Sequence, residues 1–351
     1  MSISDFPLDA ASLDEGTHEL LGQAPTALFG AVPSEAAGRV DRDIEIVSPD
    51  EPLQAAASRM WWRKMGALPV LEDGRFAGAL SEDDLLHTLA DRLRERPGAA
   101  GDLVLWESVL AGTTVRDAMS PREDTAVVRA GTPLVTGIEA TFGPTRSRRR
   151  KGYLFVLDER DVPMRVVSFR DIARFVVRLY DGELAPDAFA SPAHFEHAQR
   201  IAWRVLDLSL GTLRREESLG SPPDPLPADA SAADTMERLA SRARGYAIVV
   251  APAGRSAAPG GALRGICTRR DLLRALKSPF VTLDALRAAR LMSEPVKTVS
   301  EVDTFCGLFK MMAIEGFRHM PLVDDADRVE CVISLWQGVG LLAHRQTPAP
   351  R

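Results

Sequence analysis

Cysteine is scarce in this 351-residue chain: Cys267, Cys306 and Cys331 are the only three, and none sits in a CxxC pair. That argues against a disulfide scaffold or a zinc knuckle and fits a reducing compartment. Net positive charge is missing too. The formal charge is −6, so the chain as a whole has no pull towards nucleic acid or anionic lipid. The one strong basic run is RSRRRK, residues 146–151. It reads first as a solvated loop, with a phosphate clamp or an acidic-partner patch as the sharper alternative. No uninterrupted apolar run is long enough to span a bilayer, and the opening MSISDFPLDAASLDEG lacks the apolar core of a signal peptide. A soluble, cytoplasmic protein without membrane insertion is expected.

Catalytic signatures are absent as well. APGGALRG has no Gly-Lys-Ser/Thr ending, no Gly-x-Ser-x-Gly occurs, and no cysteine has an obvious histidine partner. His194 and His197 have no third ligand nearby and read as surface residues. No enzyme, metal or cofactor is expected.

What is present is a repeat. Apolar residues make up 45% and charged residues 26%, an ordinary globular balance at a length that suits two domains. From Ser48 the order runs helix (Leu53, Ala56, Ala57, Met60, Trp61), strand ALPVL, turn EDGR, strand FAGAL, then a helix opened by SEDD. The same order returns with YLFVL, MRVV and SFRD, with YAIVV, GIC and TRRD, and with HMPLV, ECVI and SLWQ. The widest break lies between the second and third copies, across a helical stretch and the proline-rich GSPPDPLP. Such a unit buries too little surface alone, so pairing is expected. The adjacent Trp61 and Trp62 cannot both face one core; at least one should meet a neighbouring repeat or subunit.

This pattern resembles the cystathionine-β-synthase-type (CBS) domain, two tandem copies of which form a Bateman module. The resemblance is carried by AMSPRED at Met119 and LMSEPVKTVS at Met292, by ALPVLEDG and HMPLVDD, and by Gly-hydrophobic-hydrophobic-Ser/Thr-x-x-Asp at Gly78–Asp84 and Gly265–Asp271. Arg165 and Glu330 replace the glycine in copies two and four, and Gln337 replaces the last aspartate. The resemblance implies an α+β fold of four β-α-β-β-α repeats in two modules. The expected division is an N-terminal extension (1–39), module one (40–185, repeats about 40–95 and 113–182), a linker helix (186–214) and module two (215–346, repeats about 215–278 and 288–346).

Ser/Thr-x-x-Asp before an apolar helix is first of all a capping box. The family resemblance adds that the aspartate holds the ribose of an adenosine-type ligand and the hydroxyl helps near the phosphates, at a helix N-terminus that suits anions. That implies ligand-binding roles for Ser81 and Asp84, Ser168 and Asp171, and Thr268 and Asp271. Arg318 and His319 stand where family members reach phosphates across the cleft. Tyr153 and Tyr246, at the aligned place, line an adenine slot or pack in the core. Gln337 predicts a degenerate ribose site, because a neutral amide gives up charge-assisted bonds; Trp336 fills that cleft or stacks on a base. The implied function is a regulatory, non-enzymatic binder of AMP, ADP or ATP, with AMP or ATP foremost, acting through a homodimer on a protein partner that it regulates. The competing expectation is a ligand-free interaction scaffold.

Overall fold

The structure, a computed structural model, describes residues 17–30, 32–37, 44–94, 110–143, 152–241, 246–250, 263–275 and 287–343. RSRRRK and the enlarged turn of repeat three lie outside these residues.

The repeating unit is a β-hairpin with helices on one side. Its middle strands are Ala67–Glu72, Tyr153–Leu157, Tyr246–Val250 and His319–Val323. Each pairs antiparallel with the strand that follows: Arg75–Ser81, Pro163–Ser168, Leu263–Thr268 and Val329–Ser334. In three hairpins the register slips just before the last residue of the middle strand, and in the first it slips one residue earlier, between Val70 and Leu71, as a β-bulge does; in all four the first strand residue faces the hydroxyl that opens the next helix. The EDGR turn is a two-residue loop with Asp73 and Gly74 both left-handed (φ 51° and 77°), which the twist of a tight hairpin demands. The leading strands of repeats two and three, Ala126–Arg129 and Pro225–Pro227, run parallel to the middle strand. In repeats one and four that strand shrinks to single bridges, Val47–Val70 and Val299–Leu322.

Two sheet contacts and two helix contacts assemble the four units. Phe76 of repeat one meets Phe155 of repeat two at 5.1 Å between ring centres, with Ala67, Ala79 and Leu157 around them. Tyr246, Ile248 and Ile266 of repeat three pack on Val332 of repeat four. The helical sides then meet crosswise. Leu53, Leu85, Leu86 and Leu89 of repeat one share a core with Met236, Leu239 and Leu291. Leu134, Ile138, Ile172 and Phe175 of repeat two share another with Phe305, Phe309, Leu335 and Leu342. Each such Leu or Phe, once buried, contributes roughly 1.5–3 kcal/mol.

This second core holds a segment that the repeat pattern does not anticipate. The helix Thr17–Ala24 and the wide turn Pro25–Phe29 pack against the helix Pro192–Leu206, burying Leu20, Leu21, Leu28 and Phe29 with Ile201 and Val205. The extension and the inter-module helix are thus one structural unit with repeats two and four.

Glycine in the repeat motif answers a close approach. The segment opening repeat two crosses the last strand of repeat one, pairing Ser120 and Pro121 with Ala79 and Gly78. A Cβ at Gly78 would lie 2.3 Å from the Ser120 carbonyl oxygen. At Gly265 a Cβ would instead meet the Met292 side chain, 2.3 Å from its Sδ. At the fourth crossing the glycine sits on the other strand. Gly220, at φ 104°, would drive a Cβ to 2.6 Å from Cys331 Sγ, and its neighbour Ser221 pairs with Val332. That exchange leaves room for Cys331, which by register stands at the glycine position in place of the expected Glu330; Glu330 bonds Arg214 instead. Gly338 and Gly340 lie in a nine-residue helix, Leu335–Ala343, although glycine weakens helices. A Cβ at Gly338 would meet the Phe309 ring at 2.9 Å, so packing explains that residue.

Gly78→Ala is expected to cost about 1–3 kcal/mol, since the clash is with backbone. Gly22→Ala, in an open helical position with nothing within 4 Å of the added carbon, is expected to gain about 0.5–1 kcal/mol. Urea denaturation of the two variants checks both signs.

Candidate functional site

Three strand-to-helix corners close the reciprocal cap that their residues suggest, and at the third corner the acid forms its half of it. Asp84 Oδ2 accepts from the Ser81 N–H (2.7 Å) and hydroxyl. Asp171 does the same for Ser168 (3.0 and 2.7 Å) and Asp271 for Thr268 (2.8 and 2.6 Å). Gln337 Oε1 takes that role for Ser334, at 3.0 Å from both donors. The second polar atom of the acid is used in three corners. Ser120 donates to Asp84 Oδ1 (2.8 Å) and Ser293 to Asp271 Oδ1 (2.7 Å). At corner four the polarity reverses, with Gln337 Nε2 donating to Ser221 (3.0 Å). These three serines belong to the segments that open repeats two, four and three. Ser221, in Gly-Ser-Pro where the others read Met-Ser, escaped the sequence reading for want of the methionine.

Capping therefore spends much of what the acids could offer a sugar. Asp84 is 1% exposed and stands behind its own cap, away from the central cavity. The Asp271 side chain is 7% exposed, with Arg274 at 3.1 Å. Asp171 is the most open of the three, its side chain 12% exposed, with Arg174 at 3.7 Å.

The caps place the two residues between hydroxyl and acid into one shared space. A cavity of about 540 Å³ lies where all four corners converge. Its walls include Glu82 and Asp83 from corner one, Phe169 and Arg170 from corner two, Arg269 and Arg270 from corner three, and Leu335 and Trp336 from corner four. Ser81, Ser168, Asp171, Thr268, Asp271, Arg318 and His319 also line it, so seven of the eight residues implicated by the family resemblance gather there. The volume is ordinary for a small-molecule site. Among the described residues nine Lys or Arg and four Asp or Glu line it, an excess of positive charge in an acidic chain.

Opposed corners recognise one another by these intervening pairs. Glu82 bonds Arg318 and, at 3.2 Å, Arg270; Asp83 bonds Arg269. Corners two and four are joined by aromatic rings instead, with Phe142 5.8 Å from Phe169 and 4.8 Å from Trp336. Arg318 reaches across the interface to Glu82 and to the Tyr153 hydroxyl at 3.1 Å. Gly66 permits this, because a Cβ there would overlap that hydroxyl at 1.7 Å. His319 packs on the Tyr246 ring (5.0 Å), and Tyr246 is a core residue at 2% exposure. Trp61 lines the cavity while Trp62 is 79% exposed.

The electrostatics follow from crowding. Burial alone would raise the Glu82 carboxyl, but the charges and hydrogen bonds of Arg318 and Arg270 outweigh it and hold the group below its usual range. Burial pushes Tyr153 up to about 12, with Glu82 adding and Arg318 opposing. Arg170 is pulled down to about 10, by burial first and then by Arg318, Arg270 and Arg174. Arg170 and Arg174 are further held by donating to carbonyls of repeat four, Gly316 at 2.7 Å and Ala313 at 3.0 Å.

A family model described as the CBS domain matches residues 37–91 and 288–337, the first and fourth repeats. The chain is a CBS-domain protein. Repeats two and three, which carry Arg165 at the glycine position and the enlarged turn, fall outside that match. No curated protein matches. Among solved structures, a Methanocaldococcus jannaschii protein named as a candidate archaeal homolog of g-AMPK aligns at TM-score 0.65 and 16% identity, over 88% of this CBS chain and 99% of its own. A conserved Pyrococcus horikoshii protein aligns at TM-score 0.51 and 14% identity, with the same coverage. At such low identity the likeness is one of fold alone. No helix among the described residues is long and apolar enough to cross a membrane.

Arg318→Gln is expected to destabilise the chain by about 1–3 kcal/mol, because it strips a bond from a buried carboxylate. The folded Glu82 carboxyl titrates below its ordinary 4.5. Its contribution is therefore complete above that pH and is lost as pH falls through the lower folded value. Denaturation curves between pH 7 and 3.5 should show a smaller acid loss in Arg318→Gln than in wild type.

Proposed function

We propose that this CBS-domain protein is a regulatory sensor that binds a phosphate-bearing adenosine ligand in its central cavity. One observation carries the reading: an acidic chain gathers nine basic side chains around a ligand-sized space at four helix N-termini. Converging guanidiniums and open N–H groups suit phosphate oxygens. Ser168 and Asp171, the most open corner, are the first choice for the ribose, and Thr268 and Asp271 the second. Arg318 and His319 stand on the phosphate side. Binding would act by population shift, limited to the ligand's differential affinity for two arrangements of the halves. AMP and ATP head the candidates.

A second reading, an empty scaffold, is favoured by the acids themselves: both Asp84 oxygens and both Asp271 oxygens already have partners. A homodimer is not needed to cover the helical faces, which pair within the chain.

Thermal denaturation with AMP, ADP, ATP and S-adenosylmethionine separates the two readings. A true ligand at a hundredfold excess over its Kd adds about 2.7 kcal/mol. Asp171→Ala should blunt the shift. Failure of every nucleotide to stabilise the wild type supports the scaffold.

A further inference from the structure

We propose that Glu82 is a built-in competitor for anions: its carboxylate occupies the central guanidinium cluster, and a phosphate-bearing ligand enters by displacing it. The inference rests on the central cavity as a ligand site, but not on the ligand containing adenosine.

Three observations converge. First, Glu82 spends one oxygen on Arg318 and the other on Arg270, bridging two guanidiniums as a phosphate group does. Second, the cluster holds more charge than one carboxylate balances. Arg170 adjoins it, and its buried Nε has no hydrogen-bond partner among the described residues. Its depressed pKa, about 10, agrees with that surplus. Third, the carboxylate comes from repeat one while the guanidiniums come from repeats two, three and four. Displacing Glu82 therefore cuts a tie between the two halves of the chain, which converts occupancy into a change at their interface.

The device also selects. A phosphomonoester carries a charge of about −1.5 to −2 at neutral pH and three acceptor oxygens, against −1 and two oxygens for the carboxylate. Phosphomonoesters and phosphoanhydrides can replace Glu82 with profit. A phosphate-free nucleoside cannot, whatever its base offers the walls.

Calorimetric titration of the full chain with inorganic tripolyphosphate tests this. Glu82→Gln should bind about tenfold tighter than wild type and Arg318→Gln about tenfold weaker, the scale of one charge-assisted hydrogen bond. In an Arg318→Gln background the gain from Glu82→Gln should shrink well below tenfold, because only the Arg270 contact is left to compete for. An unchanged or weakened affinity in Glu82→Gln overturns the proposal. So does an additive gain in the double variant, which marks a general field effect, and so does an absence of binding in both wild type and Glu82→Gln. Should Glu82→Gln not fold, Glu82→Asp, which keeps the charge but shortens its reach, must still bind tripolyphosphate tighter than wild type, and equal or weaker binding overturns the idea. Tripolyphosphate binding sharpened by Glu82→Gln without any nucleotide response leaves this inference standing and removes the adenosine reading. Nucleotide binding indifferent to Glu82→Gln does the reverse.

Discussion

The cap at each strand-to-helix corner is the interaction on which the rest depends. The acid or amide, three residues after the hydroxyl, takes the N–H of the residue that opens the helix, and in three corners the hydroxyl takes a second N–H in return, a contribution of about 1 kcal/mol per cap. The geometric consequence outweighs that energy. With both capping side chains turned onto the main chain, the two residues between them face the meeting point of four helix N-termini. Gln337 preserves this arrangement: its amide oxygen caps as a carboxylate oxygen does, and its nitrogen finds Ser221. The change from aspartate alters the charge of the corner without altering its shape.

What occupies the intervening positions then decides which repeats meet. Glu-Asp at corner one answers Arg-Arg at corner three, and the rings of corners two and four gather on Phe142. Ion pairs taken partly out of water return little net stability, because desolvation offsets attraction. Their effect here is on register: a slip of one repeat would set like charges or unmatched polar groups against each other. The apolar helix faces supply the stability and cannot make that distinction, since Leu against Leu is tolerant. The same division explains how a cavity rich in charge can sit inside a chain held together by two hydrophobic cores.

Local features were legible in the sequence. The order of elements, the Asp73-Gly74 turn, the capping boxes and the apolar face Leu53–Ala56–Met60 all depend on neighbours a few residues away, and all stand as read. What depends on distant partners was not legible. Nothing in the sequence marked Glu82 and Asp83 as the partners of Arg270 and Arg269. Thr17–Phe29 showed no repeat and proved to be core, because its partner is a helix some 180 residues away. Gly78 and Gly265 could be seen as a motif, but the crossing segment that requires them could not. Gly220-Ser221-Pro222 hid its kinship with Met-Ser by moving that same glycine to the other strand.

The account stands or falls on what the centre of the molecule holds. A crystal structure of the chain soaked with ADP tests this most directly. The account predicts phosphate density within hydrogen-bonding distance of Arg318 and Arg270, with the Glu82 side chain moved aside. A nucleotide seated elsewhere, or an unchanged Glu82–Arg318 contact at saturating ligand, would contradict it.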